Sequence, residues 1–216
     1  MNNPFTLQYC ETNQKMSDAV KLRYLAYRNA GAIQESTAAE FSDRYDLLPN
    51  SNTCIVYEGN TPVASSRACL YSKEHDFLQI PAFEVYQQEI EKEIGLDKMI
   101  LESNRFVIHP DKVDSKYLFK IPFRFIILNI LKFSSDYIIT AVRPKHVSVY
   151  RRFLGLEPIS APQKYPGIDV EMIMMAGECS VLLPIVMGRE ELFRFTGEEI
   201  NSYLPAYNPL LLAAYS

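Results

Sequence analysis

The chain has 216 residues, 22 basic and 26 acidic side chains, a formal charge of −4 and an apolar content of 48% with no tryptophan. That length fits one ordinary domain or two very small ones, and the ratio of apolar to charged residues suits a chain that buries a core, which excludes wholesale disorder. The acidic balance removes the broad positive field on which non-specific nucleic-acid binding depends, so no nucleic-acid partner is expected.

Met1 to Cys10 has no basic segment followed by an apolar one, so the chain reads as cytoplasmic, without a secretory leader. Ser17 can cap a helix running to about Arg28 and ending near Gly31, with Val20, Tyr24, Ala26, Tyr27 and Ala30 on its apolar surface. Arg23 projects among Ala19, Val20, Ala26 and Tyr27 at three- and four-residue spacing, where a guanidinium needs a carboxylate. Ser36 to Asn52 is a long polar loop with room for a short helix, and it carries Asp43, Arg44, Tyr45 and Asp46. Thr53–Tyr57 and Pro62–Tyr71 are strand-like, with Gly59-Asn60 as the hairpin turn between them.

Phe83–Ile94 is predicted helical and Lys98–Ile108 returns to strand. Tyr117–Phe133 is a long apolar helix with Pro122 near its start, Tyr137–Val142 a buried strand, and Val147–Phe153 a short helix stopped by Gly155. Its apolar core, Phe123 to Phe133, is broken by Arg124, Asn129 and Lys132 and falls short of the ~20 residues of a bilayer span. Glu171–Met175 and Ser180–Met187 read as final strands before a helix from about Arg189 to Tyr203. The mixture predicts an α/β fold in a single domain over 1–216, a central mixed β-sheet flanked by helices.

The eight glycines are never closer than nine positions apart. The dinucleotide fingerprint, the ATP phosphate loop and the Gly-x-Ser-x-Gly elbow all need glycines within a few residues, so none can be written here. His75, His109 and His146 are isolated, and Cys10, Cys54, Cys69 and Cys179 include no Cys-x-x-Cys pair. No metal site and no tightly bound cofactor is expected, and the cysteines read as reduced, buried thiols. Without a site to activate a substrate, group transfer needs a donor that arrives already activated.

Alternation along Met99–Ile108 puts Glu102 on a face with Ile100, Asn104, Phe106 and Ile108, and Arg105 on the other with Leu101, Ser103 and Val107. An acid among apolar neighbours is a candidate general base, because desolvation raises its pKa and a nearby arginine lowers it. A bulge between the two would bring Arg105 and Glu102 together; a structural ion pair is the competing reading.

The run Glu102-Ser103-Asn104-Arg105-Phe106 resembles the Glu-x-Ser-Arg-Phe segment of acyl-homoserine-lactone autoinducer synthases. In chain order, Arg23 and Tyr27 resemble that family's first-helix arginine and later aromatic, Asp43 and Asp46 its Asp-x-x-Asp loop, and Arg67 its hairpin arginine. Those enzymes share the Gcn5-related N-acyltransferase-like fold, in which an acyl unit passes from a pantetheine thioester to an amine. The length and the Arg-Tyr-Asp-Leu and Glu-Ser-Asn-Arg-Phe segments are similar to the long-chain N-acyl amino acid synthases, N-acyltyrosine synthases among them. Two departures narrow the reading. The absence of tryptophan argues against S-adenosylmethionine, and His109–Lys116 lacks the glycine-rich turn that holds a coenzyme A pyrophosphate.

The resemblance implies acyl carrier protein, through its phosphopantetheine thioester, as donor and an amino acid such as tyrosine as acceptor. Glu102 would take the amine proton, and backbone N–H groups near Phe106 and Val107 would hold the oxyanion. Arg23, Arg67 and Arg105 become candidates for the acceptor carboxylate, with Asp43 and Asp46 orienting arginine or amine. Phe123, Ile126, Ile127 and Ile130, with Phe119, Phe125, Leu131 and Val181 to Val186, offer a slot for a long-chain fatty acyl group or simply core. Arg143, Lys145, Arg151 and Arg152 lie in a span without an acid, a surface suited to docking an acidic carrier protein, and Lys112, Lys116 and Lys120 extend it. A lactone-forming autoinducer synthase and a silent acyl- or carrier-binding module are the alternatives.

Overall fold

The computed structural model describes residues 4–189 and 191–202. They fall into two compact units: 4–68 with 105–126, and 69–104 with the described residues from 127 onward. Strands and helices are numbered here in chain order.

The first unit opens with β1 (Phe5–Tyr9), which the sequence reading had not assigned. Its alternating Phe5 and Leu7 pack on Val56, Val63, Ala64, Leu118 and Ile121, which explains why so short a segment pairs. β1 runs antiparallel to β2 (Ser51–Glu58), Phe5 opposite Glu58 and Tyr9 opposite Cys54. Helix α1 (Asn13–Asn29) starts four residues before the expected Ser17 cap, because Thr12 accepts the Lys15 N–H at 3.3 Å. Its Ala19 and Leu22 join Cys10, Ile55 and Val107 in the core. β3 (Thr61–Tyr71) follows the expected turn, where Gly59 has φ +60°, the positive dihedral that a two-residue hairpin demands. Strand order in this unit is β1-β2-β3-β4, the last contributed by the C-terminal half of β4 (Ile100–Ile108). Helix α3 (Lys116–Phe133) begins one residue before the predicted Tyr117 and holds Pro122 in its second turn.

In the second unit the order is β3-β4-β5-β8-β6, with β7 also paired to β8. Helix α2 (Phe83–Glu93) precedes β4, and β5 (Tyr137–Val142) has the predicted bounds. β4 and β5 are parallel, matching Ile100 with Tyr137, Leu101 with Ile138 and Glu102 with Ile139, where the ladder ends. β5 goes on to Val142 against the antiparallel β8 (Glu171–Glu178). Between them come α4 (Val147–Leu154) and the two-residue strands β6 (Glu157–Pro158) and β7 (Gln163–Lys164). Gly155, at φ +72°, closes α4 as predicted.

The predicted strand over 180–187 is instead helix α5 (Cys179–Arg189). Cys179, Leu182 and Val186 are buried while Val181 and Ile185 face outward, a helical spacing hidden inside a continuous apolar run. The last predicted helix is divided into a 3-10 turn, Glu191–Phe193, and α6 (Gly197–Ser202). Its Glu190 and Tyr203, like Met1 to Asn3 of the leader reading, lie outside the described residues. Among the described residues no helix is long and apolar enough to cross a membrane. All four cysteines are free and buried, and burial pushes the Cys10 and Cys179 thiols up to about 12.

Candidate active site

The first unit gathers all five predicted arginines and aspartates. Residues Arg44–Leu47 form a 3-10 turn closed by a reciprocal cap: Asp43 accepts the Tyr45 N–H at 2.9 Å, and Asp46 accepts the Asp43 N–H at 3.1 Å. The cap uses part of each carboxylate and turns the rest inward. Arg23 of α1 donates to Asp46 at 2.8 Å and to Thr53 at 3.1 Å. Arg67 of β3 reaches Asp43 at 2.6 and 3.0 Å and Asp46 at 2.8 Å. Arg105 of β4 reaches Asp43 at 3.1 and 2.5 Å. The Arg23 and Arg67 side chains are fully buried, and those of Asp46, Arg105 and Asp43 are 5%, 3% and 21% exposed.

Burial pushes the Asp43 carboxyl up, but the Arg67 and Arg105 guanidiniums outweigh it and hold it well below the usual carboxylate range. Asp46 is lowered in the same way, Arg23 and Arg67 outweighing its burial. Three guanidiniums against two carboxylates give the set a charge of 3 − 2 = +1. Arg105 has φ +50°, a left-handed residue within a strand, and its guanidinium lies 4.7 Å from the Phe41 ring centroid. Tyr27 meets the same Phe41 edge-on at 5.0 Å.

The second unit holds Glu102, fully buried at the last paired position of β4 against β5. The Ala82 N–H, at the N-cap of α2, donates to its Oε2 at 2.9 Å. The Tyr165 hydroxyl donates to its Oε1. The Ala82 N–H and the Tyr165 hydroxyl place a donor on each oxygen, as a carboxylate accepts. Phe41, Thr53, Ala82 and Tyr165 were missed by sequence reasoning. Tyr165 had no signal, since its partner lies 63 residues away.

Phe106 packs against Phe119 and Phe123 at centroid distances of 5.5 and 4.9 Å, whereas the Val107 side chain belongs to the α1 core. Phe123, Ile126, Ile127 and Ile130 are all buried, as core residues would be. Ile130 also borders a cavity of about 580 Å³ with Leu131, Leu183, Cys179 and the polar Lys98, Ser135, Asp136 and Glu178. On the basic span, Arg151 is occupied by Glu157 at 2.7 Å, an acid just beyond it, while Lys145 and Arg152 are exposed. Arg189 of α5 donates to the Arg152 carbonyl at 3.0 Å and adds a further charge. His146, between these cations, is lowered chiefly by burial and further by Lys145 and Arg143. Among the described residues no three His, Cys, Asp or Glu side chains group to hold a metal ion.

A mixed sheet flanked by helices is the fold this chain shares with N-acyltransferases of known structure. The structure is similar to that of FeeM, an N-acyl amino acid synthase from uncultured soil microbes, at 17% identity over 86% of this chain and 98% of that one (TM-score 0.70). It is also similar to the AHL synthase LasI, at 13% identity over 84% and 92% (TM-score 0.63). The CoA-dependent acyl-homoserine lactone synthase BjaI, solved with MTA, aligns at 12% identity over 94% and 93% (TM-score 0.60). No curated protein sequence matches the chain.

The family follows from the sequence itself. Residues 18–178 match the model of the N-acyl amino acid synthase FeeM, and the chain belongs to that family. It is an acyltransferase.

Proposed function

We propose that this acyltransferase, working in the cytoplasm as one domain over 1–216, moves a long-chain fatty acyl group from acyl carrier protein phosphopantetheine to the α-amino group of an amino acid, tyrosine being the favoured acceptor. Such an amino group has a pKa of about 7.7–8.0, so much of it is protonated near neutrality and cannot attack a thioester. Glu102 removes that proton, directly or through a water. The nitrogen then attacks the thioester carbon, and backbone N–H groups beside the irregular Arg105 receive the developing oxyanion. That attack forms the C–N bond; collapse of the tetrahedral intermediate re-forms the carbonyl and breaks the C–S bond, and the nitrogen's second proton passes to the leaving sulfur, which departs as pantetheine thiol. No covalent acyl-enzyme is needed.

The observation that carries this reading is a fully buried glutamate held by two donors where β4 leaves β5. The charge of +1 on the Arg23, Arg67, Arg105, Asp43 and Asp46 set suits one acceptor carboxylate. The basic side chains Arg143, Lys145, Arg151, Arg152 and Arg189 suit an acidic carrier protein.

The test is Glu102→Gln, which keeps the shape and removes the base. Transfer should fall by about 10²- to 10⁴-fold with thermal stability retained. Full activity across the pH range in a folded variant would reject Glu102 as base. Mass spectrometry of lipids from expressing cells identifies the product; an N-acyl amino acid supports the acceptor class, and a lactone would overturn it.

A further inference from the structure

Tyr165 lies in no motif, yet its side chain touches the one group on which the proposed chemistry turns. It follows the two-residue strand β7 and is 4% exposed. A neutral phenol has a single O–H, and here that O–H is spent on Glu102 Oε1. The opposite oxygen takes the Ala82 N–H. Both donors descend from one brace. Tyr86 of α2, itself fully buried, lies with its hydroxyl 2.7 Å from the Met172 carbonyl and 3.2 Å from that of Gln163. Gln163 in turn donates to Glu89 of α2 at 2.7 Å. Gln163 and Lys164 pair with Met172 and Glu171, so α2, β7 and β8 are tied together just behind the carboxylate.

We infer that Tyr165 is the positioning residue of the general base: its hydroxyl fixes the rotation of the Glu102 carboxylate, so that the remaining lone pairs meet the acceptor nitrogen in one orientation. The inference rests on the reading of Glu102 as base. A carboxylate with a donor on one oxygen only can turn about its terminal torsion, which is broad and shallow by nature. A donor on each oxygen removes that freedom, and a base misplaced by about 1 Å loses up to about 10²-fold in rate. Tyr165 acts through Glu102 and need not touch substrate.

The experiment is a cycle of Tyr165→Phe, Glu102→Gln and the double variant, with kcat and KM measured for both acyl donor and amino acid. Tyr165→Phe keeps the ring and should lower kcat by about 10- to 100-fold with both KM values within about twofold. In the Glu102→Gln background it should cost less than about twofold more, since nothing is left to position. Tyr86→Phe, which loosens the brace, forms an independent arm with a smaller kcat loss that also vanishes in that background. Wild-type kcat in both tyrosine variants, or an equal further loss on top of Glu102→Gln, overturns the assignment of Tyr165 while the base stands. Full activity of Glu102→Gln alone overturns the base, and the positioning role with it.

Discussion

Asp43→Asn is the sharpest perturbation of the arginine–aspartate network. Asp43 bridges Arg67 and Arg105 and caps the Tyr45 N–H, and asparagine keeps its outline while removing the charge. Arg67 retains Asp46, but Arg105 loses the carboxylate that holds it, and the five-residue set rises from +1 to 3 − 1 = +2. Removing one partner of a buried ion pair costs about 3–5 kcal/mol. Asp43 keeps 21% side-chain exposure, which places the cost at the lower end, about 3 kcal/mol. For a chain of this length that is a Tm decrease of about 6–12 °C, read by circular dichroism at neutral pH. The carboxyl is held below its unfolded value, so its ionic contribution is complete above that value and is lost as pH falls. The gap between wild type and variant should therefore be constant from about pH 5 to 8 and narrow below about pH 4. A neutral-pH difference under about 2 °C, or a gap that widens on acidification, would refute this account of the network.

Two further outcomes can be checked alongside the Glu102 and Tyr165 variants. Gly155→Ala meets nothing within 4 Å but must adopt φ +72°, so it should destabilise by about 1 kcal/mol through backbone strain alone, lowering Tm by about 2–4 °C without changing KM; an unshifted melting curve would contradict this. Reversing Lys145 and Arg152 to Glu, leaving the Glu157-paired Arg151 intact, should raise the apparent KM for acyl carrier protein about tenfold in low salt and much less at high salt. A KM that stays put at every ionic strength would remove this surface from docking.

What could be read from the chain depended on how local the cause was. The Gly59-Asn60 hairpin, the bounds of β5 and the Gly155 stop of α4 are set by neighbouring residues and were legible. α5 was not, because an unbroken apolar run satisfies a strand and a buried helix alike. The same limit governs the site. Arg23, Asp43, Asp46, Arg67 and Arg105 could be picked out in order by resemblance, yet their pairings join residues 21 to 62 positions apart and follow only from folding. Arg151 looked unopposed until Glu157 came beside it across the Gly155 turn. Tyr165 was invisible because a lone tyrosine carries no pattern.

The left-handed backbone at Arg105 has a consequence for how this position can change over time. A side chain there bears an intrinsic cost of about 1–2 kcal/mol that glycine would escape, and here the Asp43 bridge and the Phe41 ring offset it. Glycine relieves the backbone but abandons Asp43; lysine keeps a charge but forfeits the two-pronged grip and the flat stacking. Neither single step is neutral. Natural variants should accordingly preserve this arginine as a matter of architecture, even in descendants that have exchanged one acceptor for another.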